Sequence, residues 1–194
     1  MQTEIRSDGT MKISGYVNTT GRESRVLTDV TGKFVETIVP GAFKRALENN
    51  KAIKMLLNHD YNRILASQED GTLELYEDSI GLRAEAVISD NEVITKAKQH
   101  KLSGWSFGMY VTDETIEAGA DGISKRSVKA LDIDEVSIID DRMSPCYTAT
   151  SIETETRGDA EIMRERRARA DECILDNNED PLKAYKERFE KIGK

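Results

Sequence analysis

Cysteine and histidine are both scarce in this 194-residue chain, and their scarcity closes off a class of protein. The two cysteines, Cys146 and Cys173, form no C-x-x-C pair, and with only two histidines they cannot complete a zinc-finger pattern. Reduced thiols are the expectation, as in a cytosolic protein. No apolar run approaches the roughly 20 residues of a membrane span, and residues 1–9 lack the apolar core of a secretion signal. The chain is expected to work in a cytoplasm, away from membranes. Basic charge is also in deficit: 28 Lys and Arg against 36 Asp and Glu leave a net charge of −8. Phosphate backbones need a basic stripe, so nucleic acid is not an expected partner. There is no G-x-S-x-G elbow, no H-E-x-x-H, no P-loop and no internal repeat. No cofactor and no metal is expected.

What remains is a polar chain whose composition changes near residue 150. Charged residues number 22 of the 44 in residues 151–194, against 42 of the 150 before. A folded domain over 1–152 followed by a charged helical tail over 153–194 is the expected organisation. Most of the domain reads as strand. Met11–Val17, Lys33–Val39, Ile53–Leu57, Arg63–Ser67, Thr72–Tyr76 and the strictly alternating Leu82, Ala84, Ala86 and Ile88 are strand candidates. Asp70-Gly71 makes a turn. After Pro40-Gly41, the spacing of Ala42, Phe43, Ala46 and Leu47 predicts a short helix. Ser89 and Glu92 read as a capping box opening a second helix that ends near Leu102. Gly104 opens a strand to Val111. The polar stretch 114–124 reads as a mobile loop, and Arg126–Ala130 and Ile133–Ile139 as two last strands. The tail's final helix starts at Asp180-Pro181, with Leu182, Tyr185, Phe189 and Ile192 on one face. The fold class is mainly β with a few helices (α+β), as a small closed or nearly closed barrel decorated by helices.

Three residues could carry chemistry. His59 ends a buried apolar strand between Asn58 and Asp60, and an imidazole suits general-base work near neutrality. Ser106 lies in Gly104-Trp105-Ser106-Phe107-Gly108. With Trp105 and Phe107 turned to the core, its hydroxyl faces outward, flanked by glycines that leave room for a substrate backbone. Ser103 is its competitor, at a helix–strand junction where capping is the commoner duty. Glu135 shares a face with Ser137, opposite Val136 and Ile138, and a carboxylate there would orient His59. His100, among Lys98, Gln99 and Lys101, is the other candidate orienting group and reads as a solvated helix residue. A metal-assisted hydrolase using His59 and Asp60 lacks further ligands at a diagnostic spacing.

Four stretches in order, Phe34–Phe43, Leu57–Asp60, Gly104–Met109 and Asp134–Ile138, with the closing Pro145–Thr150, resemble the prohead maturation proteases of tailed phages. These are the HK97-type family, distantly similar to herpesvirus assemblin. The resemblance spans about residues 11–152. It implies an assemblin-like β-barrel, Ser106 as nucleophile, His59 as its base and Glu135 at a recurrent acidic position. In the assemblin relatives the third member is a second histidine, a role for which only His100 is available. The resemblance further implies cleavage of scaffold segments and of the capsid protein's delta region, and self-cleavage, inside the assembling procapsid in the host cytoplasm. The major capsid protein is thus the expected partner, with a homodimer left open. The alternative is a catalytically inert β-barrel that serves as scaffold or assembly component of the capsid.

Overall fold

The structure, a computed structural model, describes residues 2–119 and 121–143. The expected tail over 153–194 lies outside the described residues. The elements are β1 (Gln2–Ile5), β2 (Met11–Thr19), β3 (Leu27–Asp29), β4 (Gly32–Ile38), α1 (Ala42–Asn49), β5 (Lys54–Leu57), β6 (Asp60–Ser67), β7 (Leu73–Glu77), β8 (Gly81–Ile88), α2 (Asn91–Lys98), β9 (Leu102–Glu117) and β10 (Ser124–Asp140). The fold is mainly β with two helices among the described residues, and the sheet curls as a half-barrel.

Four strands form one sheet in the order β1-β2-β8-β7. Six form the other, in the order β3-β4-β10-β5-β6 with β9 on the remaining side of β10. Strand β10 is the spine. Its first half pairs in parallel with β4, from Ser124 opposite Phe34 to Val128 opposite Ile38. Its second half pairs in parallel with β5, from Glu135 opposite Lys54 to Ile138 opposite Leu57. The chain therefore leaves one edge of β10 at Val39, makes α1, and returns to the same edge farther along. Ala42, Phe43 and Ala46 bury the apolar face of α1, as their spacing requires. Its amino terminus is held by Glu77 of β7, whose carboxylate accepts from the backbone N–H groups of Gly41 at 2.7 Å and Lys44 at 2.6 Å. A negative group at that end of a helix is favoured by the peptide dipoles. The core is one cluster drawn from both sheets and both helices, with Trp105, Phe43, Met11 and Ile13 fully buried in it.

Four local expectations are corrected. The cap of α2 is Asp90, whose side chain accepts from Val93 N, and not Ser89. That helix stops at Lys98 rather than near Leu102, because His100 takes a left-handed φ of 56° and Leu102 already opens β9. The expected loop over 114–124 is shorter than the sequence suggests, lying between Glu117 and Ser124. Strand β9 runs on to Glu117 and β10 begins at Ser124, so two strands of 16 and 17 residues make one long hairpin, and the two expected final strands are one. The distal part of β9 is exposed. Its backbone bonds to β10 and cross-strand pairs such as Arg126 with Glu114 hold it without core burial.

Candidate active site

The site is built where β5, β10 and β9 lie side by side. Cross-strand partners share a face of the sheet, so the three strands set out side chains in alternating rows. Met55, Val136 and Phe107 form one core row, and Leu57, Ile138 and Trp105 the next. Phe107 packs edge-on against Phe43 of α1, with ring centres 5.4 Å apart. The intervening rows face away from the core: Lys54, Glu135 and Gly108, then Leu56, Ser137 and Ser106. Ser106 is half-buried on that outer face, as the alternation around Trp105 predicts.

Glu135 reaches this face only because of a bulge. Ile133 lies opposite Met109 and Glu135 opposite Gly108, so Asp134 is an extra residue on β10. In an unbroken strand Ile133 and Glu135, two apart, would share the core side. The bulge turns the alternation over and aims Glu135 outward, a common use of bulges beside functional sites. The carboxylate of Asp134 accepts a hydrogen bond from the Tyr61 hydroxyl of β6, which ties the bulge down.

His59 comes from the turn between β5 and β6. Asn58 and His59 join the paired residues Leu57 and Asp60, with φ of 53° and 60°. Two left-handed residues in a two-residue hairpin are the type I′ pattern, in which asparagine is favoured. The turn is fastened to β10 at several points. Asn58 N donates to Ile138 O at 2.9 Å, the Asn58 side-chain oxygen accepts from Asp140 N at 3.0 Å, and His59 N donates to Ser137 Oγ at 3.1 Å. The imidazole then meets the carboxylate: His59 Nδ1 lies 2.7 Å from Glu135 Oε1. Ser137 Oγ donates to Glu135 Oε2. A carboxylate has no proton to give, so Nδ1 is the donor and Nε2 is left as the ring's basic nitrogen. Glu135 is 1% exposed, whereas the His59 side chain is 30% exposed. A buried acid therefore backs an imidazole that faces solvent. Charge buried this deeply needs such partners.

Asp140 ends the spine just beyond. Burial alone would raise its carboxyl pKa, but hydrogen bonds from Arg142, Lys96 and Asn58 outweigh this and hold it well below the ordinary value of 3.8. Its network pins the strand end on which the His59 turn rests.

Of the predicted residues, the structure brings His59 and Glu135 into direct contact and places Ser106 on the same face, one row from Glu135. His59 and Ser106 are not hydrogen-bonded to each other; such bonds often tighten only around substrate. Among the nearby serines, Ser103 donates to the Asp140 carbonyl at 2.9 Å and Ser137 to Glu135, while the Ser106 hydroxyl has no hydrogen bond with a described residue. His100 is exposed beyond the end of α2. The room left by Gly108 is filled by Glu135, whose Oε1 would sit 2.9 Å from a Cβ there, and not only by solvent or substrate. Sequence reasoning passed over Asn58 and Ser137 as parts of the arrangement, and gave Gly108 to the substrate rather than to Glu135; the two-residue spacing of Glu135 and Ser137 was the available signal. Among the described residues no group of three or more His, Cys, Asp or Glu side chains is placed to hold a metal ion.

No curated protein matches the chain. The family model described as caudovirus prohead serine protease matches residues 1–165, which contain every residue of the arrangement above. The chain belongs to the caudovirus prohead serine protease family.

Proposed function

We propose that this protein is a serine endopeptidase of capsid maturation in which Ser106 is the nucleophile, His59 its general base and Glu135 the group that orients the base and stabilises its imidazolium. The observation that carries the reading is the 2.7 Å contact between His59 Nδ1 and the buried Glu135, on the sheet face that also bears Ser106. Membership of a prohead serine protease family supports capsid proteins as the substrate class. The scaffold and delta segments of the major capsid protein, and the chain itself, are the proposed substrates. The charged tail after residue 152 is proposed to serve localisation and to be removed by self-cleavage.

In the proposed mechanism His59 Nε2 takes the Ser106 hydroxyl proton as Oγ attacks a peptide carbonyl. The imidazolium that forms is stabilised by the Glu135 carboxylate on its other nitrogen. His59 then protonates the leaving amine, the peptide C–N bond breaks, and water hydrolyses the acyl-enzyme by the same route in reverse. Glu135 works best dry, because a charge pair is stronger where water is excluded, and its burial supplies that setting.

Labelling with a serine-directed fluorophosphonate, followed by peptide mass spectrometry, tests the assignment. Modification of Ser106 that persists in chelator and is lost in His59→Ala is expected. Absence of labelling, or labelling at Ser103, overturns it. Co-expression with the capsid protein then identifies the peptide bonds that disappear.

A further inference from the structure

Ser137 is fully buried and carries two hydrogen bonds that meet at one oxygen. Its Oγ accepts from the backbone N–H of His59 and donates to Glu135 Oε2, while the other carboxylate oxygen of Glu135 holds His59 Nδ1. These three bonds close a ring: His59 ring to Glu135, Glu135 to Ser137, Ser137 back to the His59 main chain. We infer that Ser137 is a positioning residue, which fixes the carboxylate and the histidine relative to each other and so sets the direction of His59 Nε2. The inference rests on the proposed role of His59 as base.

The chemistry of the position is restrictive. One atom must accept from an N–H and donate to a carboxylate at once, and among small strand-compatible side chains only a hydroxyl does both. His59 needs this help because of where it sits. It occupies a hairpin turn at φ 60°, in a region that non-glycine residues enter at a cost, and nothing in a turn of two residues stops its ring from swinging. Glu135 needs it too. A single bond to His59 would leave its second oxygen buried and unpaired, and free the carboxylate to rotate about its last torsion. With Ser137 in place both oxygens are engaged and the plane of the carboxylate is set. Ser137 also stands opposite Ser106 in the β9–β10 register. The residue that holds the base is therefore the cross-strand neighbour of the proposed nucleophile, so any shift of Ser137 is felt by both. Its own burial and its committed hydroxyl keep it out of the chemistry.

The test uses the full chain. In the Ser106→Ala background, which removes self-digestion, the proton of His59 Nδ1 bonded to Glu135 should give a far-downfield proton resonance. That resonance should persist in Ser137→Thr and be lost or move upfield in Ser137→Ala. In the otherwise native enzyme, kcat on a peptide substrate should fall about tenfold to a hundredfold in Ser137→Ala, as small misplacements of reacting groups do, with KM little changed and with substantial recovery in Ser137→Thr. Circular dichroism of each variant reports whether the fold is kept; should Ser137→Ala fail to fold, Ser137→Gly and Ser137→Thr carry the same comparison. A resonance and a kcat unchanged in a folded Ser137→Ala overturn the inference. Activity that persists in Ser106→Ala, together with a resonance that still depends on Ser137, upholds the ring of bonds and overturns instead the reading of Ser106.

Discussion

Gly108 and Glu135 face each other across β9 and β10, and the carboxylate occupies the space where a Gly108 side chain would be: a Cβ would meet Glu135 Oε1 at 2.9 Å, its Cγ at 3.4 Å and its Cδ at 3.6 Å. A long flexible acid could ordinarily swing away. This one is tied to His59 and Ser137, so it can yield only by breaking a bond of the site. Gly108→Ala should therefore reduce kcat about tenfold or more while costing about 1–3 kcal/mol in stability, the range for overpacking. Kinetics and urea denaturation on the same variant check both. Full activity would mean that Glu135 has slack which these contacts do not reveal.

Ser106→Ala should abolish peptide hydrolysis with stability within about ±0.5 kcal/mol of wild type, as for an outward-facing hydroxyl off the core side of the sheet. Ser103→Ala should keep activity, since its hydroxyl serves the Asp140 carbonyl. Reversed outcomes for the two serines would transfer the nucleophile's role to Ser103.

His59→Ala should be as inactive as Ser106→Ala, and the double variant no worse than either, because the pair acts as a unit. Glu135→Gln should show a smaller, clear loss, for the amide keeps the shape but not the charge that steadies an imidazolium. His100→Ala should be silent, given its exposed place beyond α2. A dead His100→Ala beside a silent Glu135→Gln would make the second histidine the third member.

Asp140 offers a test by pH. Its carboxyl is held below the ordinary 3.8 in the folded chain despite burial, by hydrogen bonds from Arg142, Lys96 and Asn58. A depressed folded-state pKa adds stability that is fully present above the unfolded value and is lost as pH falls below it. Asp140→Asn should thus be destabilised at neutral pH by about 1–3 kcal/mol. The gap to wild type should close below about pH 4, by up to about 1.4 kcal/mol per pH unit. Denaturant titrations of both proteins between pH 7 and pH 3 measure it. A gap that does not change over that interval contradicts the assignment.

Much of this arrangement was legible in the chain itself. Strict alternation in Leu82–Ile88, the apolar spacing of α1 and the aromatic pair around Ser106 are local patterns, and local patterns follow from periods of 2 and 3.6 residues. They set the strands, the helices and the outward face of Ser106 without reference to anything distant. The ordered motifs carried the family, and His59 stood out because it is one of two histidines. Tertiary structure alone decided the rest. Residues 114–117 look like part of a loop because they are exposed, and only pairing to β10, itself supported by β4, makes them strand. The join of β10 through Ala130–Asp132 is equally invisible in composition. Above all, the side of the sheet that Glu135 faces relative to Ile133 is set by the Asp134 bulge, a difference of one residue in the count against β9. Register is a relation between two segments far apart in sequence. No period within either strand contains it, and it was the register that put Glu135, His59 and Ser137 within hydrogen-bonding reach.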